Sequence, residues 1–142
     1  MKVHNAEAKW EGRLKDGQGL MKLGHGGLEA PFSFSSRFEN GEGTTPEELI
    51  GAAAAGCFSM ALAKTLSESG RQLESIQTKA EVELEKLATG FAIPRMRLFV
   101  EADVADINED QFKNLAESAK IACPVSKALG GVVIDLRASL AT

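Results

Sequence analysis

Positive charge is in short supply: 16 Lys and Arg stand against 20 Asp and Glu, a formal net charge of −4. Non-specific nucleic-acid binding needs a basic face, so nucleic acid is not an expected partner. The opening residues "MKVHNAEAKW" lack the apolar core of a secretory signal. The most apolar run, Leu49 to Ala63, is interrupted by Gly51, Gly56 and Ser59. It also falls short of the roughly 20 residues that a membrane span needs. These absences lead to the expectation of a cytoplasmic protein without a membrane partner. Two cysteines do not make a disulfide framework. In a cytoplasmic chain such thiols are more often free, catalytic or redox-sensing. His4 and His25 form no metal-type spacing with each other or with the cysteines, so neither a metal nor another cofactor is expected. The G-x-S-x-G turn of serine hydrolases is missing. The glycines of "GHGG" lack the spacing of a phosphate loop and read as a connection between strands. With no internal repeat, linker or low-complexity tail, the 142 residues suit one domain spanning 1–142.

What is present reads as α+β. "HNAEAKWEG" and "GLMKLG" look like strands joined by "GRLKDGQG". "APFSFSSRF" looks like a third strand, with Phe32 and Phe34 on one face and Arg37 on the polar side. "TTPEEL" then marks a helix start, with Thr45 as N-cap, Pro46 in the first helical position and Glu48 completing a capping box. The helix should run to about Glu68 and stop at Gly70. Leu49, Ile50, Ala53, Ala54, Cys57, Phe58, Met60, Ala61 and Leu62 surround most of its axis, so burial nearly all round is expected. A chain this short would struggle to wrap such a helix alone, which points to a dimer. Ile76, Thr78, Ala80, Val82 and Leu84 then share a face, as do Met96, Leu98, Val100, Ala102 and Val104 across the turn "ATG". That is an antiparallel hairpin with one wet face. An amphipathic helix from about Glu109 to Ile121 follows, capped by Asn108, with Phe112, Leu115, Ala116 and Ala119 on its apolar stripe. Pro124 disfavours helical geometry at Cys123 and opens a short new helix, leaving Cys123 at a corner. "VVIDLRASL" closes the chain as a strand. The expected architecture is a central buried helix against antiparallel sheets.

Four residues carry candidate chemistry. Cys57 sits in the apolar run "GAAAAGCFSMAL", where it is either a small core residue or a reactive thiol. Apolar burial raises a thiol pKa, and the helix dipole fades within the first turn. A reactive Cys57 therefore needs a cation from elsewhere. Arg37, in "SSRFENGEG", offers a permanent charge and a planar fork of donors, although a plain surface arginine is the alternative. Glu47 could hold Arg37 in a charge-assisted pair, or simply complement the helix dipole. Ten residues from Glu47 to Cys57 amount to roughly 15 Å of rise along a straight helix. One arginine serving both would need a helix broken near Gly51 or Gly56, or a second subunit. Cys123 is either a corner thiol without a role or the partner that resolves a sulfenic acid.

"TTPEELIGAAAAGCFSMAL" followed far downstream by "ACPVSKAL" resembles the osmotically inducible protein C / organic hydroperoxide resistance family, and its OsmC branch in particular. "WEG", "RFE" and "GFAI" extend the resemblance over essentially the whole chain. The resemblance implies a thiol-dependent peroxidase acting on organic hydroperoxides and hydrogen peroxide. It implies an intertwined homodimer with long central helices between antiparallel sheets. It assigns Cys57 as the peroxidatic thiol, Cys123 as the resolving one, and Arg37 with Glu47 as the charged pair of the active site. It implies an external dithiol reductant, of the kind a lipoylated protein carries. An apolar-ligand binding module with incidental thiols, and a redox-sensing protein without turnover, are the alternatives from other classes.

Overall fold

The computed structural model describes residues 1–141, in two compact units, Met1–Leu49 and Ile50–Thr142. In the first unit, β1 (Ala6–Glu11), β2 (Gln18–Leu23) and β3 (Glu29–Phe32) form an antiparallel sheet in that order. Trp10 and Phe32 flank Gly19 in register, and their rings tilt together at a centroid distance of 5.6 Å.

The third strand is shorter than expected. It ends at Phe32, and residues Phe34–Phe38 form a helical turn, α1. The cause is local. Ser33 caps the turn by accepting from the Ser36 N–H at 3.0 Å, while the Ser33 N–H donates to Ser36 Oγ at 2.9 Å. Ser36 Oγ also approaches the Thr44 carbonyl at 2.8 Å, tying the turn to the segment before the next helix. This reciprocal box outcompetes the strand that the Phe-Ser alternation implied. Arg37 therefore lies in the last turn of α1, not on the polar face of a strand.

The long helix α2 runs unbroken from Pro46 to Glu68. Thr45 Oγ1 accepts from the Glu48 N–H at 2.9 Å, Pro46 needs no partner for a missing donor, and Glu47 and Glu48 complement the helix dipole. At the far end Gly70 takes φ +77°, a left-handed value that glycine adopts without strain, and Arg71 N–H returns to the Leu66 carbonyl. The continuous helix excludes the expected break near Gly51 or Gly56. Taken over its whole length, α2 is long and apolar enough to cross a membrane by length and composition alone, a test that the core helix of a soluble protein also passes.

In the second unit α2 is a core helix. Gly51, Ala54, Phe58, Leu62 and Leu66 form its buried stripe. They meet Met96, Leu98, Val100 and Ala102 of β7 (Arg95–Val104) and Phe112, Ala116 and Ala119 of α3 (Glu109–Ala122). β4 (Leu73–Val82) pairs antiparallel with β7, and the small hairpin β5 (Glu85–Leu87) and β6 (Gly90–Ala92) lies between them in sequence. Gly51 lets α2 approach this sheet, since a Cβ there would lie 3.1 Å from Val82 Cγ2. Ser59 Oγ donates to the Ala55 carbonyl, so the 2.7 Å contact with Thr78 Oγ1 has the Thr78 hydroxyl as donor. The opposite face of α2 is uncovered within the chain: Ala52, Ala53 and Gly56 are exposed, and Met60 is 77% exposed. Burial all round is thus met on one stripe only.

After α3 comes the short helix α4 (Pro124–Ala128), and then β8 (Val133–Leu140). β8 lies beside β7, and the two run parallel, from Arg95↔Val133 to Ala102↔Leu140. The expected all-antiparallel arrangement therefore fails at one pair. The helical crossover between these strands supplies the length that a parallel connection requires. On the outer face Arg97 pairs with Glu83 at 2.6 Å, and Arg95 pairs with Asp135.

Candidate active site

The four candidate residues fall into two pairs, one in each unit. In the first, Arg37 grips Glu47. Its Nε donates to both carboxylate oxygens, at 2.9 and 3.2 Å, and its Nη2 donates to Oε1. The Glu47 side chain is only 9% exposed, whereas that of Arg37 is 36% exposed. The buried carboxylate fixes one edge of the guanidinium. The Arg37 Cζ also lies 5.2 Å from the centre of the Phe38 ring, which supports one face. Nη1 makes no hydrogen bond among the described residues and remains as a donor. Arg37 also lines a cavity of about 220 Å³, with Trp10, Leu14, Phe32, Ser33, Phe34 and Phe38. It is a mainly aromatic hollow with one permanent charge at its wall.

The second pair is Cys57 with Cys123. Their Sγ atoms lie 2.8 Å apart, although 66 residues separate them in sequence. Both are free thiols. Cys57 projects from the middle of α2 and is half-buried; Cys123 is fully buried. Cys123 ends α3 and begins α4, with φ −65° and ψ 119°, because Pro124 excludes helical geometry there. The expected corner is present, and it buries the thiol.

The two thiols are pushed in opposite directions. Burial, then Cys123 beside it, raises the pKa of Cys57, and the Val125 backbone offsets this only in part. Burial also opposes charge on Cys123, but it is outweighed by Cys57, by the Ser126 hydroxyl and by the backbone of Ser126 and Val125, so its pKa is lowered. At 2.8 Å the two thiols titrate as a coupled pair. Their 2.8 Å approach comes close to the roughly 2.05 Å of a disulfide, which a two-electron oxidant would close. Phe38 and Ser126 are functional candidates that sequence reasoning passed over. Among the described residues no group of three or more His, Cys, Asp or Glu is gathered as a metal site would need.

The sequence profile of the family described as OsmC-like protein matches residues 39–137. The chain belongs to this OsmC-like family. It is 45% identical over 131 residues to a protein of Escherichia coli (strain K12) named peroxiredoxin OsmC, covering 91% of this chain and 92% of that one. This makes it a peroxidase of the OsmC type. The crystal structure of the organic hydroperoxide resistance protein OhrB of Bacillus subtilis superposes with a TM-score of 0.74 at 25% identity, over 95% and 98% of the two chains. An organic hydroperoxide resistance protein of Elizabethkingia anophelis shares the fold, with a TM-score of 0.76 at 22% identity and 99% of each chain covered.

Proposed function

We propose that this OsmC-type peroxidase, acting as a single domain, reduces organic hydroperoxides, and hydrogen peroxide as well, through a Cys57 sulfenic acid and a Cys57–Cys123 disulfide. The observation that carries the proposal is the 2.8 Å approach of the two sulfurs. Cys57 is the better assigned of the two as the sulfur that meets substrate, because it is half-buried while Cys123 is enclosed. Its thiolate attacks one peroxide oxygen, the O–O bond breaks, and the alcohol departs after taking a proton. Cys57 is left as sulfenic acid. The Cys123 thiolate then attacks that sulfur, the S–O bond breaks, and the departing hydroxide takes a proton and leaves as water with the disulfide closed.

Because burial and Cys123 hold the pKa of Cys57 up, attack near neutral pH needs a cation. Arg37 is assigned that role, with Glu47 and Phe38 holding its fork and Nη1 left to donate. The aromatic cavity beside Arg37 suits an apolar hydroperoxide tail. In a continuous α2 the ten-residue step from Glu47 to Cys57 is about 15 Å of rise. This favours a homodimer in which Arg37 serves the partner's thiol, and the uncovered apolar face around Met60 supports the same assembly. An external dithiol, such as that of a lipoylated protein, completes the cycle in the cytoplasm.

The test is turnover of cumene hydroperoxide with dihydrolipoamide as the sole reductant. Stoichiometric loss of hydroperoxide and dithiol over many cycles is the expected result. Disulfide formation with no turnover on any dithiol would contradict a peroxidase cycle and favour a redox sensor.

A further inference from the structure

The proposed cycle leaves one matter open: which sulfur of the disulfide receives the reductant. Two independent features answer it. The first is access. Cys57 is half-buried, whereas Cys123 is fully enclosed between α3 and α4. An incoming thiolate reaches only a sulfur it can approach. The second is an unsatisfied hydroxyl. Ser126 Oγ is buried and completes no hydrogen bond among the described residues. A buried hydroxyl without a partner is costly in the resting state and calls for an explanation, and a thiolate on Cys123 would supply it with an acceptor. Ser126 lies three residues after Cys123, in the one-turn helix that Cys123 begins, and its hydroxyl and backbone both favour negative charge on that sulfur.

We propose that the external reductant attacks Cys57 of the Cys57–Cys123 disulfide, and that Cys123 departs as a thiolate received by the Ser126 hydroxyl. The inference rests on the two-cysteine cycle proposed above. In the first step a reductant thiolate forms a bond to Cys57 Sγ. The Cys57–Cys123 bond breaks, and its electron pair leaves on Cys123. In the second step the other thiolate of the reductant attacks its own sulfur in the mixed disulfide. The bond to Cys57 breaks, and Cys57 leaves as a thiolate that takes a proton. The reductant is oxidised by two electrons and the protein disulfide is reduced by two. Ser126 touches no substrate; it is a positioning residue acting through the leaving sulfur. The 2.8 Å approach also explains why the first step needs a good leaving group and an escape from reclosure, since the released thiolate stays beside the bond it left.

The experiment closes the disulfide with diamide, so that a failure of hydroperoxide to oxidise the protein would bear on the proposed function and not on this inference. The oxidised protein is mixed briefly with 2-mercaptoethanol, quenched with N-ethylmaleimide in excess over all thiols, and its peptides are mapped. Mercaptoethanol on Cys57 with maleimide on Cys123 is the expected pattern; the reverse pattern, or no disulfide from diamide, would overturn the inference. Ser126→Ala should slow the exchange roughly tenfold, because a leaving thiol of higher pKa departs more slowly. It should also move the ultraviolet thiolate titration of Cys123 to higher pH, and Ser126→Thr should restore both. An unchanged rate and titration in Ser126→Ala would remove Ser126 from the step.

Discussion

The Sγ atoms of Cys57 and Cys123 lie 2.8 Å apart, one projecting from the middle of a 23-residue helix and the other enclosed at a corner between two helices. This contact joins elements 66 residues apart in sequence. It turns two isolated thiols into one redox unit, and the consequences for each sulfur differ.

Cys57→Ser should abolish turnover, because no nucleophile of comparable reactivity remains. Cys123→Ser should permit one oxidation and then stall, with the sulfenic acid detectable by dimedone. Hydroperoxide consumption and intact mass check both. Parent-like turnover in either variant would remove that cysteine from the cycle.

The pair should titrate in two separated steps. Burial and Cys123 push Cys57 up, while Cys57, Ser126 and the Val125 backbone push Cys123 down, so the steps lie apart unless Arg37 reaches Cys57. Cys57→Ala removes a group that favours charge on Cys123, so the remaining thiol should titrate higher than the first step of the parent. Cys123→Ala removes two causes that raise Cys57 but leaves its burial, so Cys57 should titrate lower than the second step of the parent. Ultraviolet thiolate absorbance against pH reads both directions.

Glu47→Ala frees the edge of the Arg37 guanidinium that the carboxylate holds. Misplacement of a catalytic group by about 1 Å can cost on the order of 100-fold, so kcat/KM for an organic hydroperoxide should fall by about 10- to 100-fold. Arg37→Ala should give a similar loss and slower alkylation of Cys57 near neutral pH. Arg37→Lys should recover only part of it, since an ammonium lacks the fork. Activity unchanged in Glu47→Ala would separate this pair from the chemistry.

Met60→Lys places a charge in the uncovered apolar face of α2. If that face is the dimer interface, sedimentation should show a dimer for the parent and a shift toward monomer for the variant. Phe58→Ala acts on the other side of the same helix, where Phe58 is fully buried. It should destabilise the fold by about 3–5 kcal/mol in urea denaturation. Equal sedimentation of the parent and Met60→Lys would remove Met60 from any interface.

The long helix was legible because its signals are local: Thr45 and Pro46 start it, and Gly70 ends it. The inner faces of β4 and β7 were legible from their two-residue period, and Asn108 from its position before the α3 stripe. α1 was not, because "FSFSS" satisfies a strand period and a serine capping box alike, and only the reciprocal Ser33–Ser36 bonds decide between them. The parallel entry of β8 was hidden for another reason: "VVIDLRASL" carries no mark of direction, which its helical crossover sets. Arg37 and Glu47 were singled out as a possible pair, and they do meet, though from a helical turn. Family resemblance put Cys57 and Cys123 together; no feature of their spacing could. Ser126 carried one faint signal, a hydroxyl residue in the first turn after Cys123, where such side chains turn back toward the cap.

The most direct measurement is intact mass and free-thiol count after the reduced protein meets one equivalent of an alkyl hydroperoxide. Loss of two hydrogens and of both thiols within seconds, with a peptide linking Cys57 to Cys123, is the predicted result. Two free thiols persisting for minutes would contradict the two-cysteine cycle and leave the contact between them without a catalytic role.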